Sequence, residues 1–590
     1  MTTRGDREED VWLSDAQLEK LARADELDEL HSPVPTRMIS NGEHMPIPQT
    51  AEQRRVEQRI AGLADAAGRR LGLGRRRFLA GAGGVAASFL AMNEVYGQFF
   101  SVDREELYQP DAALPNAPPS DLFVFDDQLH MVRSSMNGPH VFLAFVQGPS
   151  AVAGSNFKKN PFQKEGEVDE LGQPWSVLDP KRAGAAINSE SLHLSRFIQD
   201  VYFDSQVTVG LLSAATLGVF PPGDPKGRPP QNYTESQQVV NLTARQTAAI
   251  RNFVNRISGS QRMLAHGQLY PGVPNLEFME RQIQENHPDS WKGYNIAFAA
   301  KADDDPASPM RRWRLDDEKV VYPTYELITR HKEQLERHPG FFNICIHKGF
   351  SPSPVDTPEM GNPIDIPKAS RDWPHFNFII YHACWGGMVP FAWSRPVLDD
   401  ILAERNYLNG VPNLPWLTQF GQTCGQLSNV YAEIGSTFAN NVVTWPTVCA
   451  HMFGQLLKYF GEDRIVFGSD CVFNGSPQWQ IEALWRFQIP EEMRRRFGYP
   501  ELTLTAKRKI LGLNSARLYK IPAQGLAAGD AAGGIYKPLP RDYENRISVP
   551  LKSLLEYPGL PADKLALARR EYLQAGAMPS HTRYGWVHAG

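Results

Sequence analysis

The chain has 590 residues, of which 42% are hydrophobic and 22% charged, and this is ordinary for a globular protein. Its length allows one large domain with extensions. A net charge of −5, without a basic stripe, argues against nucleic acid as a partner. Five cysteines without a CxxC pair predict buried thiols, not a disulfide framework. No apolar run reaches the roughly 20 residues of a membrane-spanning helix.

Residues 1–74 are predicted to form a polar N-terminal extension that is helical and partly disordered. Leucines at helical spacing predict one helix over residues 13–30, and a similar pattern predicts a second over residues 50–71. The segment between them contains several prolines and no periodicity, so it is predicted to be a linker.

Residues 75–97 combine an arginine cluster with a short stretch of small apolar residues. The order Arg75-Arg76-x-Phe78-Leu79 resembles a twin-arginine export signal. We therefore predict that the twin-arginine export machinery is a partner and that the protein is exported to the periplasm. The long leader in front and the lack of an A-x-A cleavage site support the alternative, a buried Gly/Ala-rich helix in a cytoplasmic protein.

After a linker at residues 98–120, strand-like apolar runs alternate with helical patterns from residue 121 to 521. This alternation predicts an α/β fold, specifically a (β/α)8 TIM barrel whose site lies at the C-terminal strand ends. Long segments at 218–233, 302–318 and 351–374 are predicted to roof that site. The eight predicted strands are residues 122–130, 207–214, 262–270, 294–300, 342–350, 376–385, 429–436 and 464–473.

The C-terminal extension, residues 522–590, is predicted to begin with a Gly/Ala-rich flexible linker. A helix with Pro561 near its first turn is predicted over residues 560–576.

The first predicted strand ends in a group of polar residues. Strict alternation places Asp126, Gln128 and His130 on one face and Asp127 on the other. A carboxylate, an amide oxygen and an imidazole could ligate a metal there, although an ordinary exit from strand to loop would look the same.

Three further strand ends carry residues of the same type. His347 follows the fifth apolar run, His382 the sixth and Asp470 the eighth. Each residue by itself is more often a satisfied histidine or a helix cap. Together, imidazoles, a carboxylate and an amide oxygen are suited to a divalent cation that keeps one position open for water.

The motifs DDQLH, NICIHKGF, IIYHACWGG, VFGSD and ILGLNSARLY, in this order, resemble the amidohydrolase-related metal-dependent hydrolases. They are most similar to the branch that includes aminocarboxymuconate-semialdehyde decarboxylase and the resorcylate-type decarboxylases. The resemblance covers residues from about 121 to 521 and implies a (β/α)8 barrel, in agreement with the strand pattern.

By position, the resemblance places the HxH motif of strand 1 at Gln128 and His130 and the strand 5 ligand at His347. It implies that Asp470 binds the metal and handles a proton, and that His382 contacts or polarises the substrate. The chain departs from the family at Gln128, where histidine or glutamate is usual. A neutral amide is a weaker ligand that suits harder ions, so Gln128 either changes the metal preference or lies behind the ligands.

The resemblance therefore implies one divalent metal ion, with Zn²⁺ favoured and Mn²⁺ or Fe²⁺ as alternatives. The catalytic residues are predicted to be Asp470 and His382. Residues predicted to support the site or contact substrate are Asp126, Lys348 and Glu433, and for the last two an ion pair explains the sequence equally well. The predicted ligands are His130, His347, Asp470 and Gln128.

The function that we predict is hydrolysis of a small carbonyl-type substrate by a metal-activated water. Non-oxidative decarboxylation of an unsaturated or aromatic acid is the first alternative, because the family performs both reactions with the same residues. A barrel that binds a ligand without turnover is the second, and Gln128 is its main support. The partner is expected to be a small molecule, and a homodimer is left open.

Overall fold

The structure is a computed structural model of the 590-residue chain. It describes residues 21–22, 30, 32–36, 49–131, 194–214, 240–295, 313–349, 358–386, 388–389, 392–393, 395–471, 475–526, 534–555 and 588–589. Of the three predicted roofing segments, 218–233 and most of 302–318 lie outside these residues, as do the start of 351–374 and the predicted helix 560–576.

Eight parallel strands form one sheet in which neighbours in sequence are neighbours in space. The chain after the last strand bonds back to the first: Asp127 N donates to Phe467 O at 2.9 Å, and Asp470 N donates to Gln128 O at 3.0 Å. These bonds close the sheet into the predicted TIM barrel. The strands are β1 (Phe125–Leu129), β2 (Val209–Leu212), β3 (Met263–Leu269), β4 (Ser290–Tyr294), β5 (Asn343–His347), β6 (Asn377–Tyr381), β7 (Val430–Glu433) and β8 (Ile465–Val466).

Helices connect and surround these strands. The helix predicted at 50–71 is confirmed as α1, where Thr50 caps the first turn and Gly72 ends the helix with φ 67°. The helices are α1 (Ala51–Leu71), α2 (Arg75–Leu79), α3 (Ala82–Tyr96), α4 (Leu194–Ile198), α5 (Ala244–Ser258), α6 (Leu276–Asn286), α7 (Tyr322–Arg330), α8 (Pro358–Gly361), α9 (Ile366–Asp372), α10 (Arg395–Leu402), α11 (Leu417–Cys424), α12 (Gly435–Val442), α13 (Pro446–Phe460), α14 (Gln478–Arg486), α15 (Glu491–Phe497), α16 (Leu504–Arg508), α17 (Asn514–Tyr519) and α18 (Val549–Leu555).

Two predicted elements are wrong. The fourth strand is Ser290–Tyr294, so it begins before the predicted range 294–300, most of which lies outside the described residues. Trp291 is fully buried on this strand, and its indole N–H bonds to Phe341 O at 3.0 Å. Within the helix predicted at 13–30, Leu21–Ala22 form a two-residue strand that pairs antiparallel with His588–Ala589. In both cases a pairing across the chain replaces the local pattern.

The arginine-led segment predicted as an export signal is folded against the barrel. In α3, the side chains of Ala86, Phe89 and Met92 are fully buried, while Arg75 and Arg76 on α2 are exposed. Export stays a prediction, but this helix belongs to the core of the described fold. No helix among the described residues is long and apolar enough to cross a membrane.

The segment predicted as a linker at 98–120 is also packed. Phe100 forms a bridge with Phe487, and the guanidinium of Arg486 pairs with Glu106 at 2.9 Å, with both side chains buried. The side chain of Asn93 bonds the backbone of Phe100 on both its N–H and its carbonyl. These contacts attach residues after α3 to the barrel helix α14.

The barrel interior follows the expected alternation of inward side chains. All five cysteines are buried and form no disulfide, as predicted. The interior cluster contains Phe123, Phe125, Val209, Leu211, Leu264, Cys345, Ile379, Tyr381, Tyr431 and Val466.

Candidate active site

The predicted face of strand β1 is corrected by a bulge. Pairing with β2 shifts between Asp126 and Leu129, where β1 carries one extra residue. Alternation from Phe125, which faces the interior, puts Asp127 inside the barrel and Asp126 outside. Asp126 therefore does not share the face of Gln128, contrary to our prediction.

Asp126 instead supports the loop that carries Asp470. Its Oδ1 accepts the backbone N–H of Ser469 at 2.9 Å and that of Gln128 at 3.2 Å. Burial raises the pKa of Asp126 to about 7, against these hydrogen bonds, which lower it. The carboxylate thereby joins β1 to the backbone immediately before Asp470.

His130 and Asp470 meet at the C-terminal end of the barrel. His130 Nε2 lies 3.3 Å from Asp470 Oδ1, and both side chains are buried. Asp470 has φ 58°, a left-handed conformation that is costly for a residue other than glycine and is common at functional sites. The hydroxyl of Ser436 donates to the second oxygen of Asp470.

The electrostatics keep Asp470 ionised. Burial by itself would raise the pKa of this carboxyl. The hydrogen bond and charge of His130 and the charge of His382 outweigh burial, so the pKa of Asp470 lies below its usual range.

The two ring nitrogens of His130 face different partners. Its Nδ1 lies 3.1 Å from the carbonyl of Ser213, so this nitrogen donates a hydrogen bond. Its Nε2 faces the carboxylate of Asp470 and the side-chain amide of Gln128, at 3.4 Å from Nε2 of the latter. A lone pair on Nε2 can accept from the amide of Gln128, and a metal ion at the same place would also remove the repulsion between this lone pair and the carboxylate of Asp470.

The side chain of Gln128 lies next to His130 and Asp470. Two ligands bound to one tetrahedral ion lie about 3.4 Å apart, which matches the distances from His130 Nε2 to Asp470 and to the Gln128 amide. Gln128 Oε1 is buried without a hydrogen-bond partner. Because the oxygen and nitrogen of an amide are assigned and not distinguished by shape, a rotated amide would present its oxygen to the same point.

His347 contacts His382 instead of joining this group. His347 Nδ1 lies 3.3 Å from His382 Nε2, and its ring stacks on Tyr294 with centroids 4.6 Å apart. Among the residues that the structure describes, no three His, Cys, Asp or Glu side chains are arranged to hold a metal. The ligand set that includes His347 therefore stays a prediction.

His382 is held by Glu433 at the end of β7. The carboxylate of Glu433 accepts hydrogen bonds from the backbone N–H of His382 at 2.9 Å and from the backbone N–H of Gly435 at 2.6 Å. His382, Ala383 and Cys384 all have positive φ, between 51° and 59°, which turns the chain sharply after β6. Burial raises the pKa of Glu433 well above its usual range. Glu433 thus holds the backbone turn that carries His382.

Gly435 keeps space open beside His382. A Cβ at this position would lie 2.5 Å from His382 Nδ1 and 2.9 Å from Gln128 Oε1. Only glycine therefore allows these two polar atoms to face a common space. The sequence analysis did not single out Gly435 and Ser436, although their position at the end of the seventh predicted strand was a usable signal.

Lys348 forms the ion pair that was the alternative to substrate binding. Its ammonium lies 2.8 Å from Asp365 and 2.9 Å from the carbonyl of Met360, and both charged side chains are fully buried. This pair fixes the region of α9 to the end of β5.

Comparison with known proteins supports part of this description. A family model described as amidohydrolase matches residues 301–521, which is 221 of the 590 residues and includes β5 to β8. No curated protein matches the chain.

Several solved structures are similar at low identity. An uncharacterized TIM-barrel protein from Bordetella bronchiseptica is 13% identical, with 67% of this chain and 98% of that chain covered and a TM-score of 0.37. A 5-carboxyvanillate decarboxylase from Novosphingobium aromaticivorans, complexed with manganese, is 13% identical over 68% of this chain and 96% of its own, with a TM-score of 0.35. A 2,6-dihydroxybenzoate decarboxylase from Rhizobium is 13% identical over 53% of this chain and 84% of its own, with a TM-score of 0.27. These values are too low to assign a reaction.

Proposed function

We propose that this protein is a metal-dependent hydrolase that acts on a small carbonyl-type substrate at the C-terminal end of the barrel. The observation that carries the proposal is His130, whose two nitrogens face a carbonyl and a carboxylate. A divalent cation at Nε2 would remove the repulsion between the nitrogen lone pair and the carboxylate of Asp470. The family model over residues 301–521 is consistent with such a site.

His130, Asp470 and Gln128 would hold the ion. His347, which lies next to His382, would join them as a further ligand. When bound, a divalent ion lowers the pKa of a water and polarises a carbonyl. Zn²⁺ is favoured by the imidazole and carboxylate donors, and the amide leaves Mn²⁺ and Fe²⁺ as alternatives.

The residues of the chain supply the proton transfers. Asp470, whose pKa is held low, is ionised and accepts the proton of the attacking water, with Ser436 holding its second oxygen. The water oxygen bonds to the carbonyl carbon, the bond to the leaving group breaks, and Asp470 returns the proton to that group. His382 hydrogen-bonds the developing oxyanion.

The test combines metal analysis with turnover on small esters, lactones and amides. We expect one divalent ion per chain in wild type and a loss of metal and activity in His130→Ala and Asp470→Asn. His375→Ala is the matched control, because His375 lies before β6 at the opposite end of the barrel. A wild type without transition metal, or a His130→Ala variant with unchanged metal and activity, would contradict the proposal.

Isotope labelling separates hydrolysis from decarboxylation, which the sequence resemblance keeps as the alternative. Hydrolysis in H₂¹⁸O places one ¹⁸O in the acid product. Decarboxylation of hydroxylated aromatic acids in D₂O releases CO₂ and places deuterium on the ring carbon. Metal binding without either product would favour the ligand-binding barrel.

A further inference from the structure

A cavity of about 210 Å³ lies at the junction between the N-terminal segment and the barrel. Two backbone hydrogen bonds close this junction: Ser101 N donates to Arg486 O, and Gln488 N donates to Phe99 O, both at 2.8 Å. The cavity wall combines Ser101 and Asn116 from the N-terminal segment with residues of α14, α15 and α16. It shares no residue with the candidate active site.

A buried ammonium group lines this cavity. Lys507 is only 5% exposed, and its Nζ makes one hydrogen bond, to the carbonyl of Trp485 at 2.6 Å. An ammonium has three protons to donate, so two of them have no acceptor among the residues that the structure describes. Burying such a charge is costly without further partners, so burial lowers the pKa of Lys507 to about 7, and an anion next to Nζ would favour the protonated form.

A second cation with an unused donor lines the same cavity. Arg494 bonds Glu501 through NH1 at 3.0 Å, while its Nε is buried without a hydrogen-bond partner. The side chain of Glu501 is 63% exposed, so the solvent screens this ion pair.

A third cationic side chain at the cavity has partners of its own. The guanidinium of Arg486 pairs with Glu106 at 2.9 Å and with Glu482 at 3.3 Å. The unused hydrogen-bond donors at this cavity are therefore those of Lys507 and Arg494.

We propose that this cavity is a binding site for a small oxyanion, such as a carboxylate or a phosphate, held between Lys507 and Arg494. An oxyanion accepts several hydrogen bonds at once and takes up the unused donors of both cations. Apolar contacts from Pro115 and Leu504 accommodate a short organic part of the ligand. A bound anion would link the N-terminal segment to the barrel helices.

Calorimetric titration of the full chain tests the site with inorganic phosphate, acetate and benzoate at constant ionic strength, with chloride as the blank. We expect at least one oxyanion to bind saturably. Lys507→Met and Arg494→Gln should each weaken that binding at least tenfold. Arg495→Gln is the matched control, because it removes the same charge from an exposed position on the same helix and should leave affinity unchanged.

The Glu501→Gln variant distinguishes a specific effect on binding from poor folding. It removes the competing carboxylate from Arg494 and should tighten binding, a gain that misfolding cannot produce. Absence of saturable binding of all three probes overturns the proposal. Binding that is unaffected by Lys507→Met and Arg494→Gln overturns it as well.

Discussion

Replacing Phe89 with alanine tests whether the arginine-led segment is part of the folded core. Phe89 is fully buried on α3, its ring centroid lies 4.7 Å from that of Phe100, and the guanidinium of Arg486 lies 5.6 Å from the ring. These contacts make Phe89 part of the packing between α3 and the barrel helix α14.

The expected cost follows from this burial. Truncating a fully buried phenylalanine to alanine removes its transfer free energy and leaves a cavity, which typically costs about 3–5 kcal/mol. The neighbouring rings and Arg486 are held by their own contacts, including the buried pair with Glu106, so they cannot collapse fully into the space. We therefore expect the upper half of this range.

Urea unfolding of the full chain, followed by fluorescence and circular dichroism, measures the effect. Leu114→Ala is the control, because Leu114 is 73% exposed in the following segment, residues 98–120, and should change the free energy of unfolding by less than about 0.5 kcal/mol. If Phe89→Ala and Leu114→Ala behave alike, α3 does not share the cooperative core, and our interpretation of its burial is wrong.

Three further predictions concern other parts of the chain. Lys348→Met should cost about 3–5 kcal/mol in urea unfolding, because it leaves Asp365 buried without its partner, and adding Asp365→Leu should recover part of the loss. Gln128→His should tighten zinc and reduce preference for manganese in competition titrations, whereas identical selectivity would place the amide away from the metal. Changing Arg75 and Arg76 to lysine should retain the protein in the cytoplasm if the twin-arginine route operates, and unchanged fractionation would exclude that route.

Much of the barrel could be predicted from sequence because parallel strands with helices on their outer side give long apolar runs at regular intervals. Seven of the eight predicted strands overlap the observed ones over most of the observed length. The exception is β4, whose pattern contains a lysine and a glycine. Lys292 is fully buried with its ammonium 3.2 Å from the centroid of the Tyr381 ring. No rule of local hydrophobicity predicts a buried lysine, so the sequence pattern favours the next apolar run, residues 294–300, as the fourth strand.

The sequence by itself determined which residue types stand at the strand ends. Polar residues that interrupt an apolar run are visible without a structure, and this pattern predicts that His130, His382 and Asp470 stand at strand ends. The environments of these side chains could not be predicted, because they depend on residues distant in sequence, such as Ser213 and Ser436.

Tertiary structure determines three features of this protein that no local sequence pattern shows. One extra residue in β1 after Asp126 separates the face of Asp126 from that of Gln128 and leaves Asp126 supporting Ser469, since a bulge depends on the partner strand. The apolar helix α3 looks the same in sequence whether it is a signal or a core element, and only its contacts with the barrel show that it is buried. The charges of Lys507 and Arg494 lie 13 residues apart in the chain, yet they line one cavity because α15 and α16 pack against α14 and the N-terminal segment.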